Sequence, residues 1–470
     1  MKFKFLFAAI LSGIMFTVNA KENLNIQVKS TDLAGQQVFL GQYYMSKLYT
    51  KDSIMLDKNG RGTFVSKEKY PEGLYVMYFS DSKYFDVLLS DKQQFTIKID
   101  TTDIPKNIVF EGAEETKAFH DYSQFLLQKQ INGKALNERK KQSKDSSEIK
   151  SIEAELDLLN IEVKTRQNDL MAQYKGGMLE LFLKELVVPE FKETELPAGS
   201  KNPDSIKAIN RYVFYKQHYF DNVDFSDERT YRTPYIGNTL QLYLDKVLVQ
   251  SYDSIIPPAI NLIERSKGSE KAFQSMCSFM LDYSLKSKIM GMDSLMVTIG
   301  RKYYLSGEAK WADSTLLSNL AKEIKKIDKS LVGMKAKNIA LCDTLGQYHS
   351  IYDMGGSQLT ILFFYEPSCG HCKKTSPLLR DFYDKYKDDP RIKVIAVYML
   401  TDQEEWMKFL KEIKMENMTN VWDPHRTSYY WQWYDTSSTP MIYVLDKDYK
   451  VFAKKIDVET LEMIAKYELK

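Results

Sequence analysis

Residues 359–377 read LTILFFYEPSCGHCKKTSP. They begin as an apolar run too short for most helices, which suits a fully buried strand. A short connector, Glu366-Pro367-Ser368, then delivers Cys369 and Cys372 to the start of an amphipathic helix, KKTSPLLRDFYDKY. A thiolate at a helix N-terminus meets free backbone N–H groups and the positive end of the helix dipole, so its pKa falls. The C-x-x-C spacing puts the second sulfur about one turn further in, close enough to close a small disulfide ring. Cys369 is therefore the expected attacking thiolate, and Cys372 the shielded thiol that resolves a mixed disulfide.

A lone C-x-x-C is also half of many zinc sites. Here no second C-x-x-C or nearby His pair completes a tetrahedral set, so no metal site is expected. Three features support redox chemistry: the preceding strand, Pro377 after Cys372, and Ser438-Thr439-Pro440 followed by the strand MIYVLD. In residues and order these resemble the thioredoxin superfamily. The resemblance implies a Pro377 that kinks the active-site helix and a cis Thr439–Pro440 bond packed against the two cysteines. It also implies that the Thr439 backbone pairs with an extended substrate segment, and that Pro440 helps keep metal ions from the sulfurs. The redox agent is then the Cys369–Cys372 pair itself, with no separate cofactor.

Upstream of the buried strand, Gly333, Ala336, Leu341, Asp343 and Gly346 fit the hairpin that leads into TlpA-like thioredoxins. Downstream, IKVIAVYML reads as a buried strand and DQEEWMKFLKEI as an amphipathic helix. PHRTSYYWQWY reads as a shorter helix, MIYVLD and YKVFAKKI as paired strands, and VETLEMIAKYEL as a closing helix. Strands alternating with helices place this domain in the α/β class.

Two departures from the thioredoxin pattern matter. Many thioredoxins carry a buried acid six residues before the first cysteine, where it shuttles protons to the resolving thiol; here that position is Phe363. Glu366, nearer the motif, is the candidate replacement. The dipeptide Gly370-His371 resembles that of protein disulfide isomerases. A histidine there stabilises the Cys369 thiolate, and stabilising the reduced form raises the reduction potential. The motif thus favours an oxidant or isomerase, whereas the TlpA-like context favours a reductase supplied by a membrane or periplasmic electron donor.

Further outward, residues 1–20 have a basic start (Lys2, Lys4), a short apolar centre and a small residue, Ala20, which fits a cleavable export signal. No cysteine lies near the expected cut, so a lipoprotein is not expected. The expectation is a periplasmic chain that is not an integral membrane protein once the signal is removed. Residues 24–110 alternate in short aromatic-rich runs with turns such as Lys58-Asn59-Gly60, the pattern of an antiparallel β sandwich or barrel. No catalytic constellation stands there. The runs DSIMLDKNGRGTF, PEGLY and LLSDKQQFTIKID resemble a small β domain that precedes thioredoxin-like domains in exported proteins of Bacteroidota.

From Ala113 the chain turns helical and charged. Phe119, Tyr122, Phe125 and Leu126 share one face of a first helix, and Ile149, Ile152, Leu156, Leu159 and Val163 one face of a second. A long antiparallel hairpin turning at 143–147 is expected, followed by a Pro- and Gly-containing loop over 188–204. The segments INRYVFYKQHYFDNVDFSDERTYRTPYIGNTL and SKIMGMDSLMVTIGRKYY resemble the helical domain of the same modular proteins, to which no chemistry attaches. His120, His218, His349 and His425 read as structural. Cys277 and Cys342 read as core thiols, and a bond between them requires Cα atoms within about 7 Å.

The chain has 470 residues, a net charge of +2 with both signs interspersed, and 4 cysteines. That length implies about three domains. The charge leaves no electrostatic footprint for nucleic acid, and the cysteines are too few for a disulfide-stapled scaffold. The expected protein is multidomain: a signal peptide (1–20), a β sandwich or barrel (21–112), an α-helical domain (113–330) and an α/β thioredoxin fold (331–470). The expected function is exchange of disulfides with protein substrates, as a reductase. The alternatives are a disulfide oxidase or isomerase, or a non-catalytic scaffold with a structural or sensing cysteine pair.

Overall fold

A computed structural model describes residues 23–80, 83–193, 196 and 201–470. The stretch read as a signal peptide lies outside these residues. So do residues 194–195 and 197–200 of the loop that follows the helical hairpin. The chain forms two compact units, residues 1–241 and 242–470, and the expected helical stretch contributes to both.

The first unit opens with β1 (Leu24–Lys29), β2 (Gln37–Tyr44), β3 (Lys47–Met55) and β4 (Arg61–Ser66). It continues with β5 (Gly73–Ser80), β6 (Lys83–Leu89), β7 (Gln94–Ile99) and β8 (Ile108–Glu111). Two four-stranded sheets form, ordered β4-β1-β7-β8 and β3-β2-β5-β6. Alternation aims Leu24, Ile26 and Val28 of one sheet, and Val38, Leu40, Tyr75 and Met77 of the other, into one shared core. The result is a sandwich, antiparallel except for the β1–β7 pair. The Asn59-Gly60 turn needs its glycine: φ is +70°, and a Cβ there would stand 1.8 Å from the Ser30 carbonyl oxygen.

The hairpin follows as α1 (Glu114–Gln142) and α2 (Ser146–Gln173). Asp145 caps α2 by accepting from the Ser147 N–H at 2.9 Å. Lys140 pairs with Glu153 at 2.7 Å, and Lys129 pairs with Glu162 further from the turn, so the helices run antiparallel. Phe119, Tyr122 and Ile152 are buried, as the spacing requires. The end of α1 near the sandwich is tied down by Thr116, whose hydroxyl donates to the Leu88 carbonyl at 2.8 Å. Three helices complete the unit: α3 (Met178–Glu185), α4 (Pro203–His218) and α5 (Ile236–Leu242), which reaches the boundary.

The second unit begins with α6 (Tyr252–Arg265), α7 (Glu270–Lys286), α8 (Asp293–Ile299) and α9 (Ser314–Ile327). Its α/β part contains β9 (Ala340–Asp343), β10 (Tyr348–Ser350), α10 (Ile351–Met354), β11 (Leu359–Tyr365) and α11 (Gly370–Tyr386). Then come β12 (Ile392–Tyr398), α12 (Gln403–Ile413), β13 (Thr419–Trp422), β14 (Met441–Asp446), β15 (Val451–Lys454) and α13 (Val458–Glu468). The sheet order is β10-β9-β13-β12-β11-β14-β15. β11 lies parallel to β12 and antiparallel to β14, and all its residues are buried.

That burial on both faces separates two apolar layers. Ile361, Phe363 and Tyr365 pack with Cys372, Leu379 and Phe382 of α11 on one face. Leu362 and Phe364 pack with Leu341, Tyr430 and Tyr434 on the other. The helical and α/β parts of this unit are joined by Lys454 Nζ and Asp293 Oδ2 at 2.5 Å, with the lysine only 3% exposed. One expectation fails here. PHRTSYYWQWY is not a helix but a loop with one 3₁₀ turn, Tyr430–Gln432. The Asp423 carboxylate takes the N–H groups of Thr427 and Ser428, and Tyr429 sits at φ +51°, which no α-helix accommodates.

Candidate active site

The buried strand β11 fixes where the connector starts, and the connector fixes the first thiol. Cys369 is the N-cap of α11, with extended backbone angles (φ −77°, ψ 122°). Its N–H donates to the Glu366 carbonyl at 3.3 Å, and its own carbonyl accepts from the Lys373 N–H at 3.1 Å. Cys369 is half-buried, whereas Cys372, within the first turn, is fully buried. Both are free thiols.

The loop before β14 closes the site from the other side. The Thr439–Pro440 bond is cis. The Cys369 thiol donates to the Thr439 carbonyl at 3.3 Å, and the Thr439 hydroxyl donates to Glu366 Oε1 at 2.9 Å. Glu366 and Cys369 therefore meet Thr439, 73 residues after Glu366 in sequence, at one point. Gly370 and His371 occupy the exposed first turn of α11 beside them.

The two sulfurs are driven apart in acidity. Hydrogen bonding from the Thr439 side chain, then from the Cys372 backbone N–H, holds the Cys369 thiol below its ordinary value; the His371 N–H adds to this. Burial pushes the Cys372 thiol up to about 11, against the pull of the Glu366 backbone and the Thr439 side chain. One sulfur is poised to attack and its neighbour holds its proton, the division that a two-step exchange requires.

Phe363, at the position of the usual acid, is fully buried in the same layer as Cys372, its ring stacked on Tyr365 at 5.2 Å. The missing carboxylate is thus replaced by apolar surface. Glu366 is the carboxylate brought to the thiols, and it arrives through Thr439. Sequence reasoning gave a role only to the Thr439 backbone and missed its side chain. Tyr430 was missed as well: it is buried, donates to the Met399 carbonyl at 3.0 Å, and feels the Glu366 charge. No residue spacing signals either contact.

The remaining candidates stand apart. Cys277 is fully buried on α7, its thiol pushed up to about 12 by burial. Cys342 on β9 is buried and also free. His120 packs on Phe110 at 5.4 Å, with burial lowering its pKa. His218 meets Asp221 at 2.6 Å, and His349 meets Asp343 at 3.0 Å. Among the described residues no group of three or more His, Cys, Asp or Glu side chains is placed to hold a metal ion. No helix among them is long and apolar enough to cross a membrane.

A family described as thioredoxin-like matches residues 356–451, and two domains of unknown function match residues 23–119 and 136–330. The thiol-disulfide oxidoreductase ResA of Bacillus cereus is 26% identical over 146 residues, 30% of this chain and 78% of that protein. A domain of a possible thiol-disulfide isomerase from Cytophaga hutchinsonii is 37% identical. The match covers 30% of this chain and 94% of that one, with a TM-score of 0.28. A thioredoxin-like protein from Bacteroides caccae, 20% identical, matches 60% of this chain and 99% of its own, with a TM-score of 0.44.

Proposed function

The chain belongs to the thioredoxin superfamily as a TlpA-like member, and we propose that it exchanges disulfides with protein substrates through Cys369 and Cys372, acting as a reductase. The observation that carries this reading is the pairing of a half-buried Cys369, held against the Thr439 carbonyl at 3.3 Å, with a fully buried Cys372. A target disulfide lies across Thr439-Pro440. The Cys369 thiolate attacks one of its sulfurs and forms a mixed disulfide, releasing the other target sulfur as a thiolate. Cys372 then attacks Cys369 Sγ, closing the Cys369–Cys372 disulfide and freeing the second target sulfur. Two electrons have passed from the cysteine pair to the target. A membrane or periplasmic donor returns them.

On this reading the protein works in the periplasm, exported through residues 1–20 and released when they are removed. His371 favours the reverse direction, donation of the disulfide or its isomerisation, because stabilising the Cys369 thiolate stabilises the reduced pair. The full chain, pre-reduced, is mixed with a disulfide-bonded protein, and thiols released from the target are counted. One target disulfide reduced per chain is the expected result. Release of no target thiols by a chain shown to carry two free thiols at Cys369 and Cys372 would leave the scaffold alternative.

A further inference from the structure

Three parallel strands of the α/β sheet end in one row: Tyr365 of β11 pairs with Tyr398 of β12, and Tyr398 with Trp422 of β13. The connector that carries Cys369 leaves from the first of these ends, and the loop over 423–440 leaves from the third. Both therefore lie on the rim at which open α/β sheets bind their ligands. The loop also bends back toward the thiols. The Tyr430 hydroxyl donates to the Met399 carbonyl at 3.0 Å, and the Met399 N–H donates to the Tyr365 carbonyl at 3.0 Å, one residue before Glu366. The Tyr430 ring stands 5.7 Å from that of Phe364, which pairs in register with Met441, the residue after Pro440.

Two large aromatics of this loop are left outside. Tyr430 and Tyr434 are buried, whereas Tyr429 is 52% exposed and Trp431 is 36% exposed. Tyr429 stands at φ +51°, a left-handed conformation that bulky residues avoid. Trp431 is fixed by three contacts. The Tyr430 ring meets it edge-on at 5.2 Å, the Tyr429 ring does so at 5.6 Å, and the Arg426 guanidinium lies over it at 5.0 Å. A ring held in this way gives up little rotamer freedom when another chain covers it. Tyr, Trp and Arg are also the side chains that most often anchor contacts between proteins.

We propose that Tyr429 and Trp431 form a subsite for the target polypeptide, holding an aromatic side chain a few residues along from the cysteine that Cys369 attacks. The subsite rests on the exchange reading above. Reach sets its register. Trp431 is two ring contacts, 5.2 Å and 5.7 Å, from Phe364 beside the thiols, and an extended chain advances about 3.3 Å per residue. The aromatic side chain therefore stands about three to five residues from the target cysteine. The occupant is the target and not a second copy of this chain, because a copy seated on this rim would stand where a target disulfide has to approach Cys369. The rings take no part in the bond exchange, so they act on capture of the target.

The test uses the full chain, pre-reduced, and peptides whose one cysteine is a mixed disulfide with thionitrobenzoate, which is coloured on release. A Phe is placed at successive positions on either side of the cysteine, and each peptide is compared with its Ser counterpart below saturation. The native chain should capture the Phe peptide about tenfold faster at a position about three to five residues away. Trp431→Ala should bring that ratio close to one, Tyr429→Ser should lower it, and Trp431→Phe should keep most of it. A ratio is blind to a general loss of activity, so a partly unfolded variant does not mimic the result. A native ratio near one at every position overturns the subsite. So does a native-like ratio in Trp431→Ala, or in Tyr429→Ser where Trp431→Ala does not fold. A native chain that sediments as a dimer, turns monomeric with Trp431→Ala and shows no Phe preference assigns the patch to a second copy. A native chain that releases no thionitrobenzoate from any peptide overturns the exchange reading instead.

Discussion

Two regions of the second unit hold cysteines in helices, and they treat them in opposite ways. At the start of α11, Cys369 faces free N–H groups and the Thr439 loop, and its pKa falls. In the interior of α7, Cys277 is fully buried, and that burial raises its pKa to about 12. A helix interior has spent its N–H groups on its own ladder, whereas a helix N-terminus has not. The difference teaches that reactivity comes from exposure and nearby donors: burial raises Cys277, whereas the Thr439 side chain and the first-turn N–H groups lower Cys369. Cys372, in the first turn of the same helix but fully buried, is raised by that burial as Cys277 is.

Replacing cysteines at the two regions should give the largest contrast. Cys369→Ser should abolish exchange with any disulfide substrate, while Cys277→Ala should leave it unchanged and cost about 1 kcal/mol of stability. Thiol counting and urea unfolding check both. Exchange that survives Cys369→Ser would break the comparison. Cys372→Ser should keep capture but leave the target bound, seen as a mixed disulfide by mass.

Alkylation against pH sharpens the comparison within one molecule. A lowered pKa means that the thiolate survives to lower pH. Cys369 should therefore react with iodoacetamide along a curve whose midpoint lies below the ordinary thiol value. Cys372 and Cys277, whose thiols hold their protons, should stay unmodified until pH approaches 11 and 12 respectively. Mass-mapped labelling reads all three together. The smallest expected effect belongs to the exposed turn: His371→Pro should make the pair more reducing by tens of millivolts, within the roughly 90 mV between thioredoxin and protein disulfide isomerase.

Much of this contrast was legible in the sequence. The apolar run of β11, the C-G-H-C placement and Thr439-Pro440 are local signals, and the sandwich and hairpin announce themselves by periods of 2 and 3.6. What escaped was short, exposed or long-range. β8 and β13 have four residues each, too few to mark a period, and most of β3 is exposed. The aromatics of PHRTSYYWQWY mimic a helix period, but they serve as a cover for the sheet, held by the Asp423 carboxylate. The Thr439–Glu366 bond joins residues 73 apart, and only the folded chain reveals it.

The central claim is that Cys369 and Cys372 form a redox couple, and its reduction potential tests that most directly. Equilibration of the full chain in glutathione or dithiothreitol buffers, followed by thiol trapping, should show one reversible two-electron transition. It should fall near −270 mV for the proposed reductase, and between about −180 and −120 mV if His371 dominates. A pair that shows no transition in any buffer, remaining wholly oxidised or wholly reduced, would contradict the claim.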